Sequence, residues 1–406
     1  MLAFDEAQSR VLALGSEASL GSERVALDAA SGRVLASDLV SASDLPPFDY
    51  SAMDGYAVVA GSFEGDGPWV LPVLGESRTG AAPDALVRGC AARIFTGAAI
   101  PRGADAVVMQ EQVVRAGDRA TFDARPRPGA NVRRRGDDLA RGAVAIAGGT
   151  RLRASHIALA ATCDRAWLEV VRRPIVTILS TGDELRAPGA SGAPGSIPES
   201  NGVGLRVMAE RAGAIVRVAP IVGDDRGATE RSIQAALDGS DVLVTVGGVS
   251  VGDHDHVRPA LEALGVTLDF WKVAIKPGKP IVVGRRGRTI VIGLPGNPVS
   301  AMVTFALFGA PLLRVMQQDA APLPATRRAR WGAPFVRAEP GRTEMLRARM
   351  TRSEDGESWA TPIANQASGA SSALAQADAL LRVPQDATEI AHGEPCEVWM
   401  LEDLGA

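Results

Sequence analysis

Three mostly apolar runs, 175–179, 242–246 and 290–293, each with at most one threonine, fix the fold class of this chain. A strand that faces water on one side alternates polar and apolar residues; a strand without alternation is covered on both faces. Between the runs lie segments with helical periodicity, 201–211, 229–237 and 257–264, and a further strand pattern at 214–221. A long helical stretch, 298–316, follows the last run, and Ser200 stands where an N-cap for 201–211 belongs. Strands buried on both faces and alternating with helices imply an open, mostly parallel α/β sheet over residues 174–318.

The flanking sequence has a different texture. Phe4, Ala7, Val11 and Leu14 recur at helical intervals, and 28–37 carries a weaker helical pattern. After the Pro46-Pro47 break, short apolar runs at 57–60, 69–74, 92–95 and 106–109 are divided by Gly, Pro and Asp, as in a small all-β module. A helix-like stretch, 154–161, precedes the α/β region. Beyond the Pro322-Leu323-Pro324 linker, 327–401 returns to short strands and turns, as in a small β-barrel.

Composition narrows function. At 406 residues the length allows two to four domains, and a net charge of −4 argues against a nucleic-acid binder, which needs a broad basic excess. Cys90, Cys163 and Cys396 are far apart, with neither a disulfide nor a zinc spacing, as expected of free thiols in a reducing cytosol. The acidic start of the chain is unlike a signal sequence, and no transmembrane segment is expected, so the protein is assigned to the cytoplasm.

Only three of the 43 basic side chains are lysine, and all three fall in one segment: Lys272, Lys276 and Lys279. Arginine serves wherever a generic positive charge suffices. Ammonium is a compact point charge that sits against a single oxyanion, where a planar fork overreaches. An anion site for phosphate or an oxoanion is therefore expected here.

In a doubly wound sheet, ligands bind beyond the carboxyl ends of the strands. Three such ends carry unusual loops: Ser180-Thr181-Gly182-Asp183-Glu184-Leu185, Gly247-Gly248-Val249-Ser250-Val251-Gly252-Asp253-His254-Asp255, and Leu294-Pro295-Gly296-Asn297-Pro298. Gly247, Gly248 and Gly252 let amides approach an anion, and Ser250 adds a hydroxyl, as in a phosphate cradle. It is neither a Walker nor a Rossmann motif. Asp183, Glu184, Asp224, Asp225, Asp253 and Asp255 surround it. Asp224, Asp225 and Asp253 are each as well suited to capping a helix as to binding metal. Carboxylates beside phosphates are tolerable with a divalent cation between them, and Mg²⁺ takes one or two carboxylates plus substrate phosphates. His254 and His256 flank Asp255 without a third ligand at zinc spacing, which favours loop histidines over a zinc site.

The β module has its own cluster: Pro47-Phe48-Asp49, Ser51-Ala52-Met53-Asp54-Gly55-Tyr56, Phe95-Thr96-Gly97, and Arg133-Arg134-Arg135-Gly136 followed by Asp137 and Asp138. The arginine run between glycine turns is read as a salt-linked anion contact.

These motifs, together with Lys276-Pro277-Gly278-Lys279-Pro280 and Pro295-Gly296-Asn297-Pro298-Val299-Ser300, resemble in order those of the MoeA family of molybdopterin molybdenumtransferases, which includes the gephyrin E domain. The resemblance implies a three-layer α/β core of the molybdenum-cofactor-biosynthesis type at 174–318 and a C-terminal β-barrel at 319–406. It also implies a small β module at 46–138 and an elongated N-terminal dimerisation domain from 1–45 plus 139–173. It further implies an elongated homodimer acting on molybdate and adenylylated molybdopterin with Mg²⁺, releasing AMP. Asp54, Glu184, Asp224, Asp255, Lys272 and Lys276 are the implied catalytic residues, with Glu184, Asp224 and Asp255 toward the metal; Asp253 is the alternative to Asp255. Thr181, Gly182, Asp183, Asn201, Gly247, Gly248, Ser250, Gly252, Lys279, Pro295, Gly296, Asn297, Pro298 and Ser371 are implied to bind the substrate, with Arg347 nearby. Asp54, Thr96, Arg133 and Asp138 would reach the site from the partner subunit. An adenylyltransferase supplying the substrate and molybdoenzymes receiving the product are the implied protein contacts. An adenylyltransferase-like enzyme, which would consume ATP, and a non-catalytic binding scaffold are the alternatives. Molybdate and tungstate are both tetrahedral dianions, and the sequence does not separate them.

Overall fold

The structure, a computed structural model, describes residues 1–18, 20–248 and 256–406. At its centre lies a six-stranded sheet of β1 (Ile175–Ser180), β2 (Ile215–Val218), β3 (Val242–Val246), β4 (Thr267–Trp271), β5 (Val282–Arg286) and β6 (Thr289–Leu294), in the order β2-β1-β3-β6-β5-β4. The four strands β2, β1, β3 and β6 are parallel, and β5 runs antiparallel to both neighbours. The sequence reading had four of these strands and missed the β4–β5 pair. Its strands are broken by Asp269, Gly284 and two terminal arginines, so neither forms an apolar run.

Helices α1 (Asn201–Arg211), α2 (Arg226–Gly239), α3 (Val257–Ala263) and α4 (Pro298–Met316) make the outer layers. Strand β3 shows why no polar alternation was possible. Val242, Val244 and Val246 pack with Leu205, Met208 and the α4 residues Phe305 and Phe308, while Leu243 packs on the other side with Ile233, Leu237, Val257 and Leu261. Full burial of such a side chain contributes about 1.5–3 kcal/mol, so a polar residue at any of these positions would forfeit that much.

Helix α4 is long and apolar enough to cross a membrane by length and composition, with mean hydropathy 1.7, yet 83% of that stretch is buried inside the protein. It starts with Pro298 and widens to a π turn at Phe305–Gly309. The first helix, Phe4–Ser16, lies against it: Phe4, Ala7 and Val11 enter the same core, and Phe4 meets Phe308 edge-on at 5.6 Å.

Residues 20–45 and 139–171 share a second core. Ser22–Ala26 pairs antiparallel with Trp167–Val171, Leu39–Val40 with Val144–Ile146, and helix Ala154–Thr162 covers Leu35, Ile146, Leu152 and Leu168. The weak helical pattern at 28–37 proved to be one 3-10 turn, Leu27–Ala29, followed by bridging residues Val34 and Leu35. Those two apolar side chains satisfy sheet neighbours instead of a helix face.

The module from Tyr50 onward carries a six-stranded sheet, with Gly55–Val58 between Ala106–Met109 and Ala91–Ile94 and continuing through Trp69–Ser77, Arg119–Phe122 and Val113–Ala116, and a separate pair, Tyr50–Ser51 with Val132–Arg133. Phe63, Tyr56 and Phe122 pack edge-to-face at its centre. At the C-terminal end, Arg327–Trp331, Thr343–Arg352, Ser358–Pro362, Ala379–Val383 and Pro395–Met400 close into a five-stranded barrel around Trp331 and Leu381. The α/β core, β module and barrel are the fold expected from the sequence.

Candidate functional site

Lateral hydrogen bonds bring the expected loops together. Beyond the strand ends, Thr181 N–H donates to the Val246 carbonyl at 3.0 Å, Gly182 N–H to the Val222 carbonyl at 3.0 Å, and Gly247 N–H to the Leu294 carbonyl at 3.1 Å. Four loops therefore start side by side. Gly247 and Gly248 both have positive φ, and a Cβ at Gly248 would stand 2.4 Å from a Val257 methyl, so the chain turns here only with glycine. Ser250, Gly252, Asp253, His254 and Asp255 lie outside the described residues; His256 sits at the N-cap position of α3.

The two neighbouring aspartates divide their roles. The Asp225 carboxylate accepts from Ala228 N–H at 2.6 Å and caps α2, whereas Asp224 is exposed and its own N–H donates to Asp183 Oδ1 at 2.9 Å. Glu184 is exposed, its carboxylate lying over Gly182 and its carbonyl accepting from Ile197 N–H at 2.7 Å. Among the described residues neither Glu184 nor Asp224 has a basic partner, and no group of three carboxylate, imidazole or thiol side chains is placed to hold a metal. Two unneutralised hard-oxygen donors on adjacent loops fit Mg²⁺, which completes its shell with water and phosphate oxygens.

The expected Ser200 cap is not made. Glu199, 6% exposed, does the work: its carboxylate accepts from Gly202 N–H at 2.6 Å and from Ser180 Oγ at 3.1 Å, tying the end of β1 to the start of α1. Sequence reading missed it because a Ser before a helix is the stronger capping signal. Asn201 donates to the Gly296 carbonyl at 2.8 Å, and its Oδ1 is buried without a partner among the described residues. Pro295 is buried, and Asn297 reaches Ser368 Oγ at 3.0 Å while Val299 N–H donates to the Ser368 carbonyl at 3.1 Å. The barrel's 365–371 turn is thus stitched to the loop after β6, with Pro298 as the first residue of α4. Arg347, 1% exposed, supports that turn by donating to the carbonyls of Asn365 and Ala367; burial lowers its pKa. Ser371 is exposed at the start of the short helix Ser371–Ala375.

The lysine segment closes one side. Lys272 is held at φ 77°, an unusual conformation for a non-glycine residue, with its ammonium 3.9 Å from the Trp271 ring centre; the Arg258 guanidinium lies 4.3 Å from the same ring. Lys276 is exposed, and its Nζ is 3.1 Å from Glu344 Oε2 in the barrel. Gly278, at φ 105°, packs so closely on α4 that a Cβ would meet the Thr304 methyl at 2.2 Å, which seats the turn against the helix that follows the Pro295–Pro298 loop. Lys279 is exposed, its carbonyl accepting from Val273 N–H at 3.1 Å.

In the β module, Asp54 Oδ1 accepts from Thr96 N–H at 2.7 Å and Thr96 Oγ1 at 2.8 Å, and these bonds hold its carboxyl below the usual range. The arginine run splits by role. Arg135 N–H and the Arg134 side chain serve Asp49, and the Arg135 side chain serves Asp44 at 2.6 Å. Arg133, opposite Tyr50, is exposed and makes no ion pair among the described residues. Asp138 is exposed and anchored through its N–H to the Leu45 carbonyl at 3.0 Å. No hydrogen bond or ion pair among the described residues joins this cluster to the loops of its own α/β core.

The comparisons cover nearly the whole chain. Residues 2–163 match the MoeA N-terminal region (domain I and II), 177–315 a probable molybdopterin binding domain, and 333–401 the MoeA C-terminal region (domain IV). Among relatives, molybdopterin molybdenumtransferase of Haemophilus influenzae is 38% identical over 319 residues, 78% of each chain. Molybdopterin molybdenumtransferase 2 of Mycobacterium tuberculosis is 34% identical over 93% of this chain and 94% of its own. A solved molybdopterin biosynthesis protein of Pyrococcus horikoshii superposes with a TM-score of 0.85 at 29% identity, covering 98% of this chain and 100% of its own.

Proposed function

This chain belongs to the MoeA family of molybdopterin molybdenumtransferases, enzymes of molybdenum-cofactor biosynthesis, and from that premise we propose that it takes molybdate and adenylylated molybdopterin, cleaves the pyrophosphate to release AMP, and leaves molybdenum on the dithiolene. One observation carries the reading: the chain's only lysines lie in one segment whose Gly278 packs against α4, beyond the same sheet end as the loops that carry Gly182, Asp183, Glu184 and Asp224.

The two substrates are anions, and bringing them together requires cations aimed at where charge develops. Lys272 and Lys276 hold the tetrahedral oxoanion, with Lys279 toward the substrate phosphate. Gly182, Gly247 and Gly248, with Thr181 beside them, let the pyrophosphate oxygens come close to the backbone; Ser250 and Gly252, outside the described residues, are assigned to the same group. Asn201, Gly296 and Asn297, between Pro295 and Pro298, fix the opposite wall, with Ser371 at its barrel end. Glu184 and Asp224, with Asp255 outside the described residues, would hold Mg²⁺, and Asp183 accepts from the Asp224 N–H. The ion, when bound, screens the pyrophosphate from these acids; a unit-charge pair at ~4 Å is worth ~4 kcal/mol at an effective dielectric of 20.

The proposed assembly is a cytoplasmic homodimer in which Asp54, Thr96, Arg133 and Asp138 of one subunit complete the site of the other. Support comes from the Asp54–Thr96 pair, fully formed yet without a hydrogen bond or ion pair to its own core among the described residues, and from Arg133, which has no acidic partner among them. An adenylyltransferase hands over the substrate and molybdoenzymes take the product.

The test is direct. Purified protein with Mg²⁺, molybdate and adenylylated molybdopterin releases AMP together with molybdenum cofactor, without consuming ATP. Absence of turnover with authentic substrate removes the reading, and ATP consumption moves it to an adenylyltransferase.

A further inference from the structure

The C-terminal barrel reaches into the lysine segment at one point. Residues Ile275–Lys276 form a short strand parallel to the barrel strand Thr343–Arg352, with Lys276 directly opposite Glu344. Glu344 is buried at 8% exposure, whereas the Lys276 side chain is 52% exposed, so an ammonium at the surface reaches inward to a carboxylate held by the barrel. That carboxylate has a second cation. Arg337 approaches Glu344 Oε1 at 3.4 Å, and its guanidinium is itself fixed by the carbonyls of Ala387, Arg342, Pro384 and Gln385.

We propose that Glu344 is a positioning residue for molybdate binding: it holds the Lys276 ammonium in place before the oxoanion arrives, and Arg337 holds Glu344. The proposal rests on the assignment of Lys276 to the oxoanion. A lysine head carries three N–H donors. Glu344 takes one and leaves two for a ligand oxygen. Ordering a long, exposed side chain in advance removes an entropy loss that binding would otherwise bear. Arg337 already offsets the Glu344 charge, so repulsion of the incoming anion is small. Arg337 holds Oε1 of the buried carboxylate, and Oε2 is the oxygen that faces Lys276.

Glu344→Gln keeps the hydrogen bond to Arg337 and removes the charge that fixes Lys276. In the full-length enzyme, the expected result is a molybdate KM raised about fivefold or more with kcat within about twofold. Placed on a Lys276→Gln background, the same change adds nothing. Thermal melting confirms folding. Should the variant not fold, Glu344→Asp carries the same test, since it retains charge but shortens the reach to Lys276. If Lys276→Gln raises the molybdate KM and the Glu344 variant leaves it unchanged, the positioning role alone is overturned. If Lys276→Gln also leaves it unchanged, the assignment of Lys276 falls and the proposal falls with it. A Glu344 variant that loses kcat and stability together at constant KM has a structural role only, which likewise overturns it.

Discussion

Lys276→Arg lowers kcat/KM for molybdate by about a hundredfold or more while the thermal midpoint stays put, on the scale of losing one donor to a developing oxyanion. Charge is conserved in this exchange, so the loss reports geometry. The guanidinium fork is larger and its donors lie in one plane, whereas a tetrahedral oxoanion beside Glu344 calls for donors radiating from a single nitrogen. The chain itself argues that arginine is otherwise welcome: every basic residue outside this segment is arginine. The backbone is no obstacle to folding, because Lys276 is exposed and its strand pairing with the barrel uses main-chain groups. Steady-state kinetics beside circular dichroism checks the expectation. An arginine variant that keeps more than about a tenth of the activity contradicts the ammonium-specific role.

Asp54→Ala and Lys276→Gln, each nearly inactive alone at molybdate well below the variants' KM, recover about a quarter of wild-type activity when co-expressed in equal amounts. The arithmetic follows from a shared site. Random pairing makes half of the dimers mixed, and each mixed dimer has one site with both defects and one with neither. Asp54 is a good probe because its removal opens Thr96 N–H and Oγ1 to water and leaves the packing of the β module intact. Activity measured on the unfractionated co-expressed population, against each variant alone, decides the matter. Recovery no greater than the sum of the separate variants places Asp54 and Lys276 in the same subunit's site, or leaves Asp54 outside it.

How much of this was legible in the sequence depended on whether the signal was local. Residues 242–246 read as a doubly covered strand because Val242, Leu243, Val244 and Val246 all needed apolar neighbours, and the structure provides them on both sides. The β4–β5 pair was not legible, since Asp269, Gly284 and the terminal arginines hide its apolar positions. Asp224 and Asp225 could not be separated by type or spacing; only the bond from Ala228 N–H to Asp225 shows which one is committed to a helix end. Glu199 was overshadowed by the adjacent Ser200, and Glu344 carried no local signal at all, because its meaning comes from a strand pairing between distant segments. The arginine run was read as one feature, yet Arg134 and Arg135 stabilise turns through Asp49 and Asp44, while Arg133 is exposed and pairs with neither.

Everything proposed for this enzyme depends on an oxoanion being held by the ammonium groups at the open end of the parallel sheet. Anomalous diffraction from crystals soaked in molybdate examines that point without intermediaries. The expected outcome is a molybdenum peak within contact of the Lys272 and Lys276 ammonium groups, beside the Gly247–Gly248 backbone and the Pro295–Pro298 loop. An ordered molybdate bound elsewhere, with those two side chains turned into bulk solvent, would contradict it.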